Sequence, residues 1–511
     1  MSGRLFRTPM TPGLSGCLLM TAALQSQAAG LELTQHGVKE MGHGYAGTAT
    51  LLEDASAVAH NPAGLLRLEG QQASAGVSLL YADIEYDAVV ERRKIEDEYD
   101  LEPTRVSGPG GASSRDVSPI PHLYLSHRIN EEAAVGLGIY APFASSSSFP
   151  SGWAGRYHSE DTSQTTVNLN PAFAFRATDT LSFGFGGIVQ FYEAELTNQI
   201  DVGYLVAEEL VKEVEAEEGR DAARATADDA VNKLGSDFDV HNQIELDSMA
   251  FGLSLGMLWE PTDSTRVGVN FRTRTEHVAT GDAERDEVHD EAFRERLIAR
   301  LESFANATED EARTAASAVF DERGALGGDL QSTLTLPDVF TLSLHQDVSQ
   351  RLSLMASSSW ITWSQFDEMR LEYTDDSLRG GSDITGSGDD VRRRDLVQPL
   401  EFEDSFRAGL ALRYQWSDNL TLRTGGSFDQ SPLRNAEYRT PRGPDNDRII
   451  AGLGGSYQWH DALEVDFSYA FIRIQEADVA TVENPAGTEH RAFGQTRSNL
   501  HNLGLQANYR F

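Results

Sequence analysis

The chain has 511 residues and a formal net charge of −37, because 79 Asp and Glu residues face only 42 Lys and Arg. This balance argues against a nucleic-acid partner, since binding to a polyanion draws on clustered basic side chains that displace counterions. Only 40% of the residues are hydrophobic, and beyond residue 30 no run approaches the roughly 18 consecutive apolar residues of a spanning helix. This composition does not exclude a membrane β-barrel, because the wall of a barrel needs only every second residue to be apolar.

Residues 1–28 have the pattern of a secretory signal peptide. Arg4 and Arg7 precede an apolar run from Leu14 to Leu24, and small residues occupy the cleavage position at Ser26-Gln27-Ala28. Cleavage after Ala28 would also remove Cys17, the only cysteine, and with it any thiol chemistry. The four residues ending at Cys17 resemble a lipoprotein box, but most of the apolar run follows that cysteine instead of preceding it.

From about residue 70 onward, apolar residues recur at every second position between short polar turns. Phe406, Leu410 and Trp416 share one face of a segment whose other face carries Arg407 and Arg413. Such alternation is typical of a transmembrane barrel, with aromatic residues near the segment ends as an interfacial girdle. We count fourteen segments, near 70–82, 118–128, 133–143, 163–177, 180–200, 241–260, 264–280, 330–348, 351–374, 399–416, 419–434, 446–459, 462–477 and 498–511. The predicted fold is an all-β, 14-stranded antiparallel transmembrane β-barrel over residues 70–511.

Short turns alternate with long polar connections, as expected for periplasmic turns and external loops. Two external loops, about 201–240 and 282–329, have helical apolar spacing, and each carries a net charge of −8. The apolar positions are Val206, Leu210, Val214, Phe293, Leu297 and Leu301. Two interpretations stay open: a solvated helical cap whose stripes pack on their own neighbours, or stripes that face each other across an external hydrophobic groove.

Residues 29–69 show neither strand alternation nor a long helix. The lumen of a fourteen-stranded barrel is wider than its own wall side chains can fill. We therefore predict that this segment forms an N-terminal plug, or hatch, inside the barrel, although a periplasmic location is the alternative.

The order of several motifs is familiar. They are Ala29-Gly30-Leu31-Glu32-Leu33, Gly42 to Gly47, Asp54-Ala55, Asn61-Pro62-Ala63-Gly64, Trp153-Ala154-Gly155-Arg156-Tyr157, Leu336-Pro337, Trp360, Trp363-Ser364-Gln365-Phe366, Phe428-Asp429, Ser431-Pro432 and Pro444-Asp445-Asn446-Asp447-Arg448. Over nearly the whole mature chain, this set resembles the FadL/TodX family of outer-membrane transporters for long-chain fatty acids and other hydrophobic compounds.

The resemblance implies a route for the ligand. An external groove between the two helical loops collects it, a hatch that includes Asn61, Pro62, Ala63 and Gly64 moves, and the ligand leaves sideways through a gap in the third strand. We place that gap near Gly136, Gly138 and Pro142, where glycines and a proline weaken a strand ladder. The alternative is that Pro142 simply ends the strand.

A fatty-acid carboxylate would need a basic partner. By parity, four arginines face inward: Arg272, Arg407, Arg413 and Arg423. Arg272 and Arg423 are the candidates for binding the carboxylate. The alternative is that these arginines belong to structural ladders with Asp or Glu. Some family members carry a basic residue at the end of the fifth strand, where this chain has Asn198. Without that charge, the ligand need not be a carboxylate, and uncharged aromatic or aliphatic hydrocarbons are an alternative.

The remaining expectations concern class and partners. We expect no enzyme activity, cofactor or metal. The expected setting is a monomer in outer-membrane lipid of a Gram-negative cell, inserted by the barrel assembly machinery. Two further functions are alternatives. One is a general porin. The other is a barrel hydrolase that would use His122, His127 or His345, but no Ser-centred motif accompanies these histidines.

Overall fold

The computed structural model describes residue 32 and residues 36–92, 94–285, 290–322, 327–374, 396–483 and 489–511. The predicted signal peptide lies outside these described residues. The described strands, all joined in one sheet, are β1 Gln71–Arg92, β2 Thr104–Arg105, β3 Gly111–Arg128, β4 Ala133–Tyr140, β5 Ala144–Ser148, β6 Asp161–Thr178, β7 Leu181–Asp201, β8 Asp239–Thr262, β9 Thr265–Arg272, β10 Thr275–Glu284, β11 Gly328–Leu336, β12 Val339–Asp347, β13 Leu352–Ile361, β14 Glu368–Tyr373, β15 Leu396–Pro399, β16 Ser405–Ser417, β17 Leu420–Asp429, β18 Arg448–His460, β19 Leu463–Glu483 and β20 His490–Arg510.

The sheet closes into an antiparallel barrel because its last strand pairs with its first. The β1–β20 ladder runs from Gln72 opposite Arg510 to Arg92 opposite His490. Five wall strands are interrupted and appear as the pairs β4/β5, β9/β10, β11/β12, β13/β14 and β15/β16, while the two residues of β2 pair with the end of β1 ahead of β3. The wall therefore has the fourteen strands that the alternation predicts, and several extend further outward than the predicted segments.

The two faces of the wall differ as the parity predicts. Leu410 and Trp459 are each 70% exposed on the outer face, whereas Arg423 and Asp466 are buried toward the lumen. Trp259, Trp416 and Trp459 lie beside short turns and are exposed, as an aromatic girdle requires. None of the helices in the described ranges has the length and apolar character needed to cross a bilayer.

The segment before β1 is folded inside the barrel. It contains two short helices, α1 Val38–Gly42 and α2 Ala57–His60, and a 3-10 helix, Pro62–Arg67. Its main-chain groups bond to small polar side chains of the wall: Gly47 N donates to Ser357 Oγ at 2.9 Å, and Gly44 O accepts from Ser427 Oγ at 2.7 Å. Serines on the luminal face thus replace water as partners for the plug, which we call the hatch, residues 36–69.

Helices outside the membrane cover one end of the barrel. They are α3 Lys94–Glu98, α4 Val202–Glu218, α5 Arg220–Lys233, α6 Glu291–Leu301 and α7 Glu309–Ser317. Asp201 and Asp290 begin α4 and α6 by accepting main-chain hydrogen bonds, and Thr308 forms a capping box with Glu311 at α7. Helices α4 to α7 lie in the two loops predicted to be helical, whereas α3 lies in the loop that follows β1.

Candidate functional site

A cavity of about 1060 Å³, its open mouth included, lies in the external half of the barrel. One part of its lining is apolar and comes from the wall and from the loops that interrupt the ninth and tenth wall strands. That part comprises Leu196, Leu246, Leu334, Ile361, Trp363, Phe366, Leu400 and Phe402. Phe402 lies edge-on to both Phe366 and Trp363, with ring centroids 5.2 and 5.8 Å apart. The aromatic loop motif at 363–366 therefore supplies the floor of an apolar chamber.

The other end of the cavity is charged. The Glu32 carboxylate accepts a hydrogen bond from Arg272 Nη2 at 2.9 Å through one oxygen and from Arg407 Nη2 at 3.0 Å through the other. Arg407 also donates to Asp429, which is shared with Arg448 at 3.2 Å. Glu32, Arg407, Asp429 and Arg448 all line the cavity. The cavity is thus amphipathic, with guanidinium groups at one end and aliphatic and aromatic side chains along the rest.

The hatch rests on the wall at Asn61. Its side-chain amide donates to Ala49 O at 2.9 Å and to Met257 O at 3.0 Å, and its Oδ1 accepts from Ala63 N at 3.1 Å. Close approach requires Gly184 and Gly256, which are paired on neighbouring strands, because a methyl group on either would overlap the turn formed by residues 61–63. Gly64 in turn packs on Leu52.

Buried charges add to the hatch contacts. Lys39 Nζ lies 2.7 Å from Glu464 Oε1 and 3.3 Å from Asp54 Oδ2. Burial alone would lower the pKa of Lys39, but Asp466 and Asp54 outweigh it and raise that pKa, so the ammonium group stays charged. Burial, and then the nearby charge of Asp54, raises the pKa of Glu40 to about 8. Glu40 is therefore protonated at neutral pH, unlike its neighbour Asp54.

The third wall strand is interrupted. β4 pairs with β3 as far as Ile139 opposite Leu123, and β5 pairs with β6 from Ala144 to Ser148. Within the described residues, no backbone pair joins β5 to β3; instead, Ser148 N donates to Ser114 Oγ at 2.9 Å. Ser145 of β5 also lines the cavity. The wall beside the cavity therefore lacks backbone pairing between β3 and β5.

Comparison with known proteins identifies the family. Residues 19–511 match the family model described as outer membrane protein transport protein (OMPP1/FadL/TodX). The chain belongs to this family. The long-chain fatty acid transport protein of Escherichia coli K12 is 24% identical over 485 residues, 93% of this chain and 94% of that protein.

Two solved structures share the fold. A Pseudomonas aeruginosa FadL homologue has a TM-score of 0.75 and 21% identity, with 94% of this chain and 100% of that chain covered. The Ralstonia pickettii toluene transporter TbuX has a TM-score of 0.57 and 17% identity, with 93% and 98% covered. The protein is thus an outer-membrane β-barrel of a family that transports hydrophobic compounds.

In this FadL/TodX family member, the two predicted arginines occupy different positions. Arg272 is bonded to Glu32 at the charged end of the cavity. Arg423 does not line the cavity: it is buried against the hatch, where Nη2 donates to Glu53 Oε2 at 2.7 Å, and Arg413 binds the same carboxylate at 2.9 Å. Parity fixes the face of a strand but not the depth in the barrel, so Arg423 faces inward as expected yet lies away from the cavity; binding of a ligand carboxylate by Arg423 stays a prediction. Arg407, Arg442 and Arg448 line the cavity; Arg448 ends one of the family motifs, whereas Arg407 was indicated only by its inward parity.

The six predicted groove residues are all buried. Val206, Leu210, Val214, Phe293, Leu297 and Leu301 belong to one hydrophobic cluster of the cap and are at most 4% exposed. The two stripes do face each other, but they form the core of a closed cap instead of the walls of an open groove. The first of the two interpretations, stripes that pack on neighbouring helices, describes this structure.

The gap residues also need a correction. Gly136 and Gly138 are paired on both sides, opposite Ser126 and Tyr124 in β3 and opposite Ala172 and Asn170 in β6, so they do not weaken the ladder. Their lack of a side chain instead leaves room for Val58 of the hatch. The interruption lies at residues 141–143, which include Pro142.

Other polar candidates have structural partners. Asn198 is 5% exposed, accepts from Asn242 at 2.9 Å and donates to Tyr157 O at 3.0 Å, outside the cavity. Because Asn198 lies outside the cavity, its lack of charge does not reduce the positive charge of the cavity lining. His122 bonds to Gln506 and His345 to Asp347, while His127 is exposed.

Proposed function

We propose that this transporter takes up long-chain fatty acids across the outer membrane. The observation that carries the proposal is the amphipathic cavity, whose aliphatic and aromatic lining ends at Arg407 and Arg448. A guanidinium group matches a carboxylate in shape and charge, and the apolar walls match an alkyl chain. The name of the E. coli relative supports the same substrate class.

The proposed route avoids the aqueous lumen. Each methylene removed from water contributes about 0.8 kcal/mol, so a long alkyl chain favours a continuous apolar path. We propose that the helical cap opens to admit the ligand, that the cavity holds it, and that movement of the hatch lets it leave between β3 and β5 into the outer leaflet. The weakened β3–β5 wall and the cavity position of Ser145 support this exit. Consumption of the ligand downstream would drive a passive flux.

Uptake of labelled oleate by cells that lack their own transporter tests this function. Expression of the parent protein should increase the initial uptake rate, and Leu334→Trp should abolish most of the gain by filling the cavity. Leu410→Trp is the matched control, because the same change on the lipid-facing side leaves the cavity untouched. Equal uptake with and without the protein would refute the proposal, as would equal uptake by the two variants.

A second candidate function is uptake of uncharged aromatic or aliphatic hydrocarbons. It is favoured by the pairing of Arg272 and Arg407 with Glu32, because a neutral ligand would then meet charges that are already compensated. The toluene transporter name of TbuX supports it by analogy. Uptake of labelled toluene that exceeds uptake of oleate, and that falls in Leu334→Trp, would favour this second function.

We further propose that the transporter acts as a monomer embedded in outer-membrane lipid and inserted by the barrel assembly machinery. The exposed apolar outer face, which ends at Phe511, supports insertion as a single barrel. Light scattering of the protein in detergent should give the mass of one chain plus bound detergent.

A further inference from the structure

Glu32 holds the place that a ligand carboxylate would take. Its side chain is 7% exposed, and its two oxygens bind one guanidinium each, at 2.9 Å to Arg272 and 3.0 Å to Arg407. The carboxylate belongs to the cavity lining, at the charged end of a chamber that is otherwise largely apolar. Within the described part of the chain, Arg407 Nε is buried and has no hydrogen-bond partner. The site therefore retains a donor that Glu32 does not use.

The same residue touches the interrupted wall strand. The main chain of Glu32 forms an isolated antiparallel bridge with Phe143, which lies between β4 and β5. The Arg272 guanidinium lies over the Phe143 ring, 5.1 Å from its centroid. Two contacts thus connect the charged end of the cavity to the place where the wall lacks backbone pairing.

A carboxylate of the hatch provides a comparison with Glu32. Glu53 also bridges two arginines, at 2.9 Å to Arg413 and 2.7 Å to Arg423. Neither of those arginines nor Glu53 lines the cavity. Both bridges anchor the hatch region electrostatically, but only the Glu32 bridge lies where a ligand in the cavity can reach it.

We propose that Glu32 is an internal competitor for the ligand's head group, an inference that rests on the function proposed above. The carboxylate of an anionic amphiphile displaces Glu32 from Arg272 and Arg407, since two carboxylates in one such site repel each other. The exchange keeps each guanidinium paired. Displacement also removes the ionic contact that holds Glu32 beside Phe143, so binding of an anionic head group loosens the wall at the β3–β5 interruption. A neutral hydrocarbon occupies the apolar chamber without this effect.

Two probes of equal chain length separate charge from hydrophobic contact. Binding of dodecanoate and of 1-dodecanol is measured on the full chain in lipid nanodiscs at neutral pH. Glu32→Gln should bind dodecanoate roughly tenfold more tightly than the parent, because the competing charge is lost, while its affinity for 1-dodecanol stays unchanged. Glu53→Gln is the matched control and should leave both affinities as in the parent.

A measurement on the unaltered protein tests the link to the wall. Hydrogen exchange of the backbone at residues 139–147 should become faster when dodecanoate is added and should not change with 1-dodecanol. This result does not depend on the folding of any variant. Unchanged dodecanoate affinity in Glu32→Gln, an equal gain in Glu53→Gln, an equal gain for 1-dodecanol, or exchange that ignores dodecanoate would each overturn the inference. If the parent binds neither probe, the proposed function itself fails and the inference fails with it.

Discussion

Asn61 Nδ2 donates a hydrogen bond to Met257 O at 3.0 Å, which ties a buried side chain of the hatch to wall strand β8. The same amide group also bonds Ala49 O and Ala63 N, so one side chain joins three backbone segments. Met257 lies 196 residues from Asn61 in the sequence, and the Asn61 side chain is itself fully buried. Asn61 is therefore the side chain through which we expect hatch and barrel to be coupled.

Replacement of Asn61 by Ala should loosen the hatch without unfolding the barrel. Each buried polar group left without a partner costs about 1–3 kcal/mol. We expect faster hydrogen exchange across residues 49–67 and impaired oleate uptake, with an unchanged yield of folded barrel by its gel mobility before and after heating. Asn198→Ala, a wall asparagine with a similar number of bonds, should leave exchange in the hatch unchanged. Normal transport by Asn61→Ala would remove this role.

Glu40 makes the hatch less stable at high pH. Its folded-state pKa of about 8 lies above the ordinary value of 4.5, because of burial and then of Asp54. Between these two pH values the folded hatch holds a proton that the unfolded segment has lost, so stability falls as pH rises through that window. Protection from hydrogen exchange at residues 36–60 should be roughly tenfold or more higher in Glu40→Gln than in the parent at pH 8.5, with no difference at pH 4.5.

The groups around Glu40 do not reverse this sign. Asp54 stays ionised beside Lys39, and burial lowers the pKa of His60 to about 4, so both keep one charge state from pH 5 to 8.5. Ser56 Oγ, 3.5 Å from the Glu40 carboxyl, does not titrate. If parent and variant show the same pH profile, Glu40 does not titrate in the hatch.

A crosslink across the interrupted wall should stop release. Ser148 N donates a hydrogen bond of 2.9 Å to Ser114 Oγ, so the two chain segments lie close together and we expect cysteines at both positions to reach each other between β3 and β5. We expect oxidised S114C/S148C to bind oleate but not to deliver it, and dithiothreitol to restore delivery.

A second cysteine pair controls for the crosslink itself. Thr341 and Ser359 face each other on the continuously paired strands β12 and β13, with their hydroxyl oxygens 2.9 Å apart. Oxidised T341C/S359C should transport as the parent does. Delivery through the oxidised S114C/S148C barrel would place the exit elsewhere.

The closed cap should limit ligand capture. Leu297 is fully buried in the cap core, and truncation to Ala costs about 2–5 kcal/mol. We expect Leu297→Ala to speed proteolysis within residues 202–233 and 291–317 and to raise the initial rate of oleate capture, with the barrel intact. Glu302→Ala, an exposed change on the same loop, should do neither. Faster proteolysis with slower capture would mean that the ligand needs the packed cap.

The wall was predictable because its signal is local. Side chains alternate between the faces of a strand with period two, so the series through Leu410 and Arg407 specifies outside and inside without reference to any partner. The helical loops were predictable for the same reason, from the spacing of Val206, Leu210 and Val214. Neither pattern contains information on what a face packs against. The structure therefore confirmed the fourteen strands and the helices, but the side chains predicted to line a groove form the buried core of the cap.

Ionic partners were decided by the tertiary structure. Glu32 lies 240 residues from Arg272 and 375 from Arg407, and only the folding of the segment before β1 into the closed barrel brings the three together. Arg423 shares the inward parity of Arg407, yet its depth pairs it with Glu53 and keeps it out of the cavity. The sequence by itself determined which residues face the lumen; the packing of the hatch against the wall determined which charges remain at the ligand cavity.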